Sequence, residues 1–330
     1  MTATCHLRGF GAYAPERILT NKDLESIVET TDEWITTRTG IRQRHVASEG
    51  ENASDVATAA ARAALADAGL DPSELTHIFV ATCTPDYLSP NTACLVESKL
   101  GLAGLMALDF NAACSGFVYG LSLARGIVAA QPTAKVLLVA TEALSRRVNW
   151  QDRTTCVLFG DGAGATVITA DSPANANGAV LEDVIGTSDG NLGTLLTIGG
   201  GTATPYKLGD TVGPEYFVQM QGRDVFKHAV RSMATVCEDI LARNSLSIAD
   251  VDLVIPHQAN QRIVDAVADR LAITPAKVFM NLQDYGNTSA ASIPLALADA
   301  RAQGAIRPGM RVLLTTFGGG FTWGAALLRF

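Results

Sequence analysis

Part of this chain is written twice. The segment LADAGLDPSELTHIFVA (65–81) aligns with LARNSLSIADVDLVIPH (241–257) at a constant separation of 176 positions. Leu65 falls on Leu241, Ala66 on Ala242, Leu70 on Leu246 and Leu75 on Val251. At the same separation VLLVAT (136–141) falls on VLLTTF (312–317). Each copy reads as a helix end, a turn with an acidic residue and a buried strand. Two distant matches at one separation point to a duplicated unit, so repeats govern the fold class before local propensity does. The expected halves are 1–172 and 173–330. They pack most economically as a pseudo-dimer, with a ligand site where they meet.

Within each half helices and strands alternate, which argues α/β architecture. The pattern predicts helices near 54–69, 91–100, 115–131, 222–244, 260–271 and 289–303. It predicts strands near 76–83, 134–141, 155–170, 252–256, 310–317 and 321–329, with a further short strand at Met106 to Phe110. The near-continuous apolar runs at 76–83 and 136–141 suit strands covered on both faces. The stretch 172–220, with SPANANG, SDGNLG and IGGGTATP, reads as surface loops and hairpins.

Composition narrows the function. With 48% apolar and 18% charged residues, the chain is neither disordered nor a small domain that needs staples. Lys+Arg 25 against Asp+Glu 33 gives a net charge of −8, which disfavours non-specific nucleic-acid binding. The six Cys, at 5, 83, 94, 114, 156 and 237, show no CxxC spacing and read as free thiols of a reducing compartment. The N-terminal segment lacks signal-peptide character, and no apolar run approaches the ~20 residues of a membrane span. A soluble cytoplasmic protein without membrane or nucleic-acid partners is the expectation. No His or Cys spacing suggests a metal site.

Three residues carry possible chemistry. Cys114 lies where a short strand meets a small-residue turn and then a helix, and a helix N-terminus favours a thiolate. The alternative is a buried thiol serving as a small hydrophobe. His257 follows an apolar strand at its carboxyl end, where open α/β sheets place ligands, and could donate to an oxyanion or pass a proton; it could equally hold a turn. Asn287 precedes a small-residue helix and could donate to the same oxyanion, or serve as an N-cap. The glycines of FGGGFTWGAALLRF (317–330) present bare N–H groups suited to an oxyanion hole, or merely join two strands. GDGAG (160–164) leads into a β-branched strand and so fails as a dinucleotide fingerprint.

Taken together, TTDEWITTRTGI (30–41), NAACSGF (111–117), FGDGAGA (159–165), PHQANQRI (256–263), YGNTSAAS (285–292) and FGGGFTWGAAL (317–327) make the whole chain resemble the β-ketoacyl-acyl carrier protein synthase III family, condensing enzymes of the thiolase superfamily. The resemblance implies a thiolase-like fold of duplicated α/β halves in α-β-α-β-α layers, and a homodimer. It implies that Cys114 takes an acyl group from acyl-CoA, and that malonyl-acyl carrier protein then loses carbon dioxide and attacks the thioester. His257 and Asn287 would stabilise the enolate, and the N–H groups of Cys114 and Gly319 the acyl oxyanion. No resident cofactor is implied, acyl-CoA being a substrate. Contacts to CoA would come from Trp34, Arg38, Arg153, Gly222, Phe226, Ala259 and Asn260. Acidic carrier protein would dock on Arg223, Lys227 and Arg231 together with Gln258, Ala259, Asn260, Gln261, Arg262 and Arg270, several of which could instead be plain solvated helix positions. Ser89 stands where relatives often carry a bulky aromatic residue at the end of the partner's acyl pocket, which suggests a longer pocket. A starter enzyme of polyketide metabolism, a cysteine hydrolase and a non-catalytic acyl-CoA binder are the competing readings.

Overall fold

The computed structural model describes residues 4–171, 178–204 and 206–330. One nine-stranded sheet organises it. Its strands are β1 (His6–Tyr13), β2 (His77–Ala81), β3 (Met106–Phe110), β4 (Lys135–Glu142), β5 (Gly162–Thr169), β6 (Ala179–Ser188), β7 (Leu253–Pro256), β8 (Arg311–Gly318) and β9 (Thr322–Arg329). The order across the sheet is β7-β8-β9-β6-β1-β5-β4-β2-β3. Read outward from the β6–β1 junction, both sides run antiparallel, antiparallel, then parallel, and the β1 side adds one further parallel strand, β3. The junction is short: His6 pairs with Val180 and Leu7 with Ala179, antiparallel.

The main helices are α1 (Asp32–Thr39), α2 (Ala53–Ala68), α3 (Thr92–Lys99), α4 (Gly116–Ala130), α5 (Gly222–Arg243), α6 (Gln261–Arg270) and α7 (Ser292–Ala302). Strand alternation shows how they layer. Ile78 and Val80 face an outer cluster with α2 and α3, while Phe79 and Ala81 face a central cluster with α4 and α7. In the second half Val254 and Leu313 face α5 and α6, while Ile255 and Leu314 face the same central cluster. The result is five layers, α-β-α-β-α, with α4 and α7 enclosed between the half-sheets. Ala113–Ala130 is long and apolar enough to cross a membrane by length and composition alone, unlike the sequence expectation. Packing accounts for part of its apolarity: Phe117, Val118, Leu121, Ala124 and Val128 are buried between the half-sheets, while Leu123 is exposed.

The duplication extends to backbone detail. Gly69 (φ +63°) and Ser245 (φ +55°) end α2 and α5 in the left-handed region. After them, Leu70 N–H donates to Leu65 O at 3.0 Å, and Leu246 N–H to Leu241 O at 2.8 Å. A capped 3₁₀ turn follows in both, Pro72–Glu74 and Ile248–Asp250. The expected boundary between 172 and 173 lies outside the described residues.

Two expectations need correction. The strand drawn over 155–170 starts only at Gly162, because Arg153–Cys156 is a helical turn, and its Cys156 enters the core together with Val157 and Phe159 after it. The stretch 172–220 is not all surface: β6 lies beside the sheet's centre, paired with β9 and β1.

Candidate active site

At the heads of α4 and α7 the two halves build the same turn. Asn111 Oδ1 accepts from Ala113 N–H, and Asn287 Oδ1 accepts from Ser289 N–H, each at 2.9 Å. The residues that follow, Ala113 (φ +46°) and Ser289 (φ +50°), both adopt left-handed backbone that costs a side chain energy, a strain typical of functional turns. In the first half this turn delivers Cys114. In the second it leaves the Asn287 amide NH₂ as the uncommitted end of that side chain.

The Cys114 turn is clamped by the other half. Thr316 Oγ1 donates to Cys114 O at 2.9 Å, Thr322 Oγ1 to Ala112 O at 2.9 Å, and Ser115 Oγ to Thr322 O at 3.1 Å. Gly318 abuts this turn so closely that a Cβ there would lie 2.7 Å from Cys114 N. The FGGG segment is therefore more than a strand connection.

Cys114, His257, Asn287 and Gly319 all line one cavity of about 700 Å³ at the meeting of the halves. His257 is buried, and its Nδ1 finds no hydrogen-bond partner among the described residues. Burial pulls its pKa down to about 4, so the ring is neutral at physiological pH and carries one N–H to donate. Cys114 departs from expectation. Burial pushes its thiol up to about 12; the Ser289 hydroxyl opposes that shift and the Glu142 carboxylate adds to it. With no cation beside it among the described residues, desolvation outweighs the helix terminus, and the resting group is a thiol.

Glu142 is the residue that sequence reasoning missed. It ends β4 fully buried, accepting from Thr84 Oγ1 at 2.7 Å, Cys83 N–H at 3.2 Å and Ser289 Oγ at 3.3 Å. Burial raises it to about 7. The available signal was a lone acid closing the apolar run VLLVATE. Arg147, on the cavity wall, was missed too.

The expected CoA residues divide. Arg38 and Arg153 both lie over the Trp34 ring, their guanidinium carbons 4.9 and 4.8 Å from its centroid. Ala259 lines the cavity, but Gly222, Phe226 and Asn260 do not. On α5 it is Val225 and Ala229, one turn apart, that face the cavity, which leaves Phe226 rotated to the exposed side. Asn260 Oδ1 caps α6 by accepting from Arg262 N–H at 2.9 Å.

The expected docking residues divide as well. Arg223, Lys227, Arg231, Gln261, Arg262 and Arg270 are exposed. Gln258 is not, and cannot meet a partner. It is buried, its Oε1 accepting from Asn281 and Leu282 N–H at 2.9 Å and its Nε2 donating to Phe279 O at 3.1 Å. Its role is a strut between the His257 strand end and the segment leading to Asn287. Ser89 is exposed and does not line this chain's cavity, although Tyr87 and Leu88 do.

Family models for 3-oxoacyl-[acyl-carrier-protein] synthase III match residues 108–190, and its C-terminal region residues 241–330. The β-ketoacyl-[acyl-carrier-protein] synthase III of Nitratidesulfovibrio vulgaris strain DP4 is 74% identical over 330 residues, all of both chains. The chain belongs to the β-ketoacyl-acyl carrier protein synthase III family. The Roseiflexus castenholzii synthase III is 50% identical, covering 98% of this chain and 97% of its own. The crystal structure of the Aquifex aeolicus synthase III superposes with a TM-score of 0.90 at 46% identity, over 99% of this chain and 100% of that one. The priming β-ketosynthase of the R1128 polyketide pathway gives 0.89 at 33% identity, over 98% and 96%. The protein is thus a condensing acyltransferase of the thiolase fold that initiates fatty-acid synthesis, and the hydrolase and non-catalytic readings fall away.

Proposed function

We propose that synthesis here runs through an acyl-Cys114 intermediate. The observation that carries this is the convergence of Cys114 from one half with His257 and Asn287 from the other on a single cavity. Cys114 sulfur forms a bond to the acyl carbon of acyl-CoA, the bond to the CoA sulfur breaks, and the thiol proton leaves with CoA. Malonyl-acyl carrier protein then loses carbon dioxide. Neutral His257 and the free Asn287 NH₂ donate to the enolate oxygen, whose carbon displaces Cys114 to give 3-oxoacyl-carrier protein. The N–H groups of Cys114 and Gly319 hold the oxyanion at both acyl-transfer steps.

The Trp34–Arg38–Arg153 cluster supports a nucleotide clamp, with adenine replacing one guanidinium on the indole. Arg223, Lys227, Arg231, Arg262 and Arg270 form no ion pair among the described residues and would meet acidic carrier protein. The acyl pocket is completed by a second subunit, whose Ser89 would leave room for primers beyond acetyl. The protein works in the cytoplasm.

Mass spectrometry after exposure to a panel of acyl-CoAs tests the intermediate. One adduct should map to Cys114 and vanish in Cys114→Ala. Asn287→Ala should still acylate while condensation falls about 10²–10³-fold, as when one oxyanion donor is lost. Labelling elsewhere, or none, would refute the scheme, and a strict acetyl preference would refute the longer pocket.

A further inference from the structure

The wall of the cavity is largely apolar, with Leu144, Leu196, Ile198, Val218, Met220 and Met233 among its residues. Arg147 is the only Lys or Arg on it among the described residues. Its guanidinium carbon sits 4.1 Å from the Tyr216 ring centroid. Its Nη1 is buried and has no hydrogen-bond partner among the described residues. Gly200, at φ +97°, makes room for it: a Cβ there would approach Nη1 to 3.1 Å.

The fully buried Arg44 guanidinium gives a contrast at its two terminal nitrogens, although its Nε also lacks a partner among the described residues. Arg44 donates to Leu19 O at 3.2 Å, Asn21 Oδ1 at 2.9 Å and Val157 O at 2.7 Å. Nearby acids are not available to Arg147. Asp86, also on the wall, is committed to Ser54 N–H and Oγ at 2.8 and 2.5 Å, and Glu215 accepts from Tyr206 Oη at 2.9 Å. Arg147 as a whole is half-buried, but a guanidinium N–H left buried without a partner in a largely apolar wall is costly unless an acceptor joins it, and the planar donor fork fits a carboxylate in bidentate fashion.

We infer that Arg147 makes this cavity selective for acyl primers with a carboxylate at the distal end, that is, monothioesters of dicarboxylic acids. The inference rests on the acyl-Cys114 reading above. Two other anions enter the reaction, and each fits less well. The nucleotide phosphates of CoA have the Trp34–Arg38–Arg153 cluster, none of which lines the cavity. The malonyl carboxylate must become neutral carbon dioxide, and a buried cation paired to it would hold the ground state back.

The test offers the intact protein chain-length-matched pairs: succinyl- with butyryl-CoA, glutaryl- with pentanoyl-CoA, adipyl- with hexanoyl-CoA. Rates of adduct formation on Cys114 are read by mass spectrometry. In at least one pair the carboxylated primer should react tenfold faster or more. Arg147→Met should reverse that preference, and Arg147→Lys should keep part of it, having charge without the fork. Adducts from neutral primers alone would overturn the inference and leave the acyl-Cys114 reading standing. No adduct from any primer would overturn both. An Arg147→Met defect confined to CoA affinity or to the KM for malonyl-carrier protein would assign the guanidinium to those anions and overturn it as well.

Discussion

Glu142 shows how a single side chain in this site is tuned by what surrounds it. Its carboxyl sits in the protein interior with Cys83, Thr84 and Ser289 as partners, and burial holds its pKa near 7. In the unfolded chain it ionises near pH 4.3. Between those values the unfolded state binds fewer protons than the folded one, so this residue's contribution is intact at low pH and is lost as pH rises through 7. Glu142→Gln removes the titration while keeping the shape. The melting temperature of the wild type should therefore fall more steeply from pH 5 to pH 8 than that of the variant. The comparison must be of slopes, because the amide loses some of the hydrogen bonds the carboxylate accepts. Parallel slopes would show that Glu142 carries no such penalty.

Among elements, the segment joining β7 to α6 does more than present His257. Gln258 ties that strand end to residues 279–282, and its N–H donates to Ser292 Oγ at 2.9 Å at the head of α7. The His257 imidazole and the Asn287 carboxamide are thus held to one another through a buried amide. Gln258→Leu leaves two N–H groups and a carbonyl without partners, at about 1–3 kcal/mol each. Urea unfolding should show a lower midpoint and an unfolding free energy smaller by several kcal/mol, and Asn287-dependent condensation should fall more than Cys114 acylation. A midpoint unchanged from wild type would sink the strut.

The same segment shows what can be read without coordinates. PHQANQRI placed His257 at a strand end correctly, because a buried apolar strand breaking into polar residues is a local signal. The fate of Gln258 was not local: an amide is polar in the sequence whether it meets water or Asn281, Leu282 and Phe279. β6 escaped notice for a related reason. Its Glu182 and Asp183 look like surface residues, yet Arg311 and Arg329 pair with the first, and Arg125 and Arg243 with the second. Those partners lie tens of residues away in the chain. What the repeat did disclose was the architecture, since matching strands 176 positions apart required matching layers.

For the whole molecule, the two ends of the sheet are finished differently. At the β7 end, Val278 bridges Val254 and Phe279 N–H donates to Val254 O at 3.0 Å, so that edge is partly covered. At the other end β3 pairs only with β2 and presents Met106 and Leu108, 54% and 39% exposed. A bare apolar edge strand is a liability that folded chains cover or charge. Beside it the loop before α3 exposes Tyr87 and Leu88, 60% and 89%, although both belong to the wall of the cavity that Cys114 lines. A wall with one side in water is incomplete, and a second copy related by two-fold symmetry would cover both the edge and the wall at once. The protein should therefore sediment at twice its 34.6 kDa chain mass. Leu108→Lys, on the edge and not among the residues lining the cavity, should shift it toward monomer and lower Cys114 acylation in step with the monomer fraction, recovering as protein concentration is raised. A monomeric wild type with full acylation would mean that the cavity is complete within one chain, and that Ser89 bears on no pocket at all.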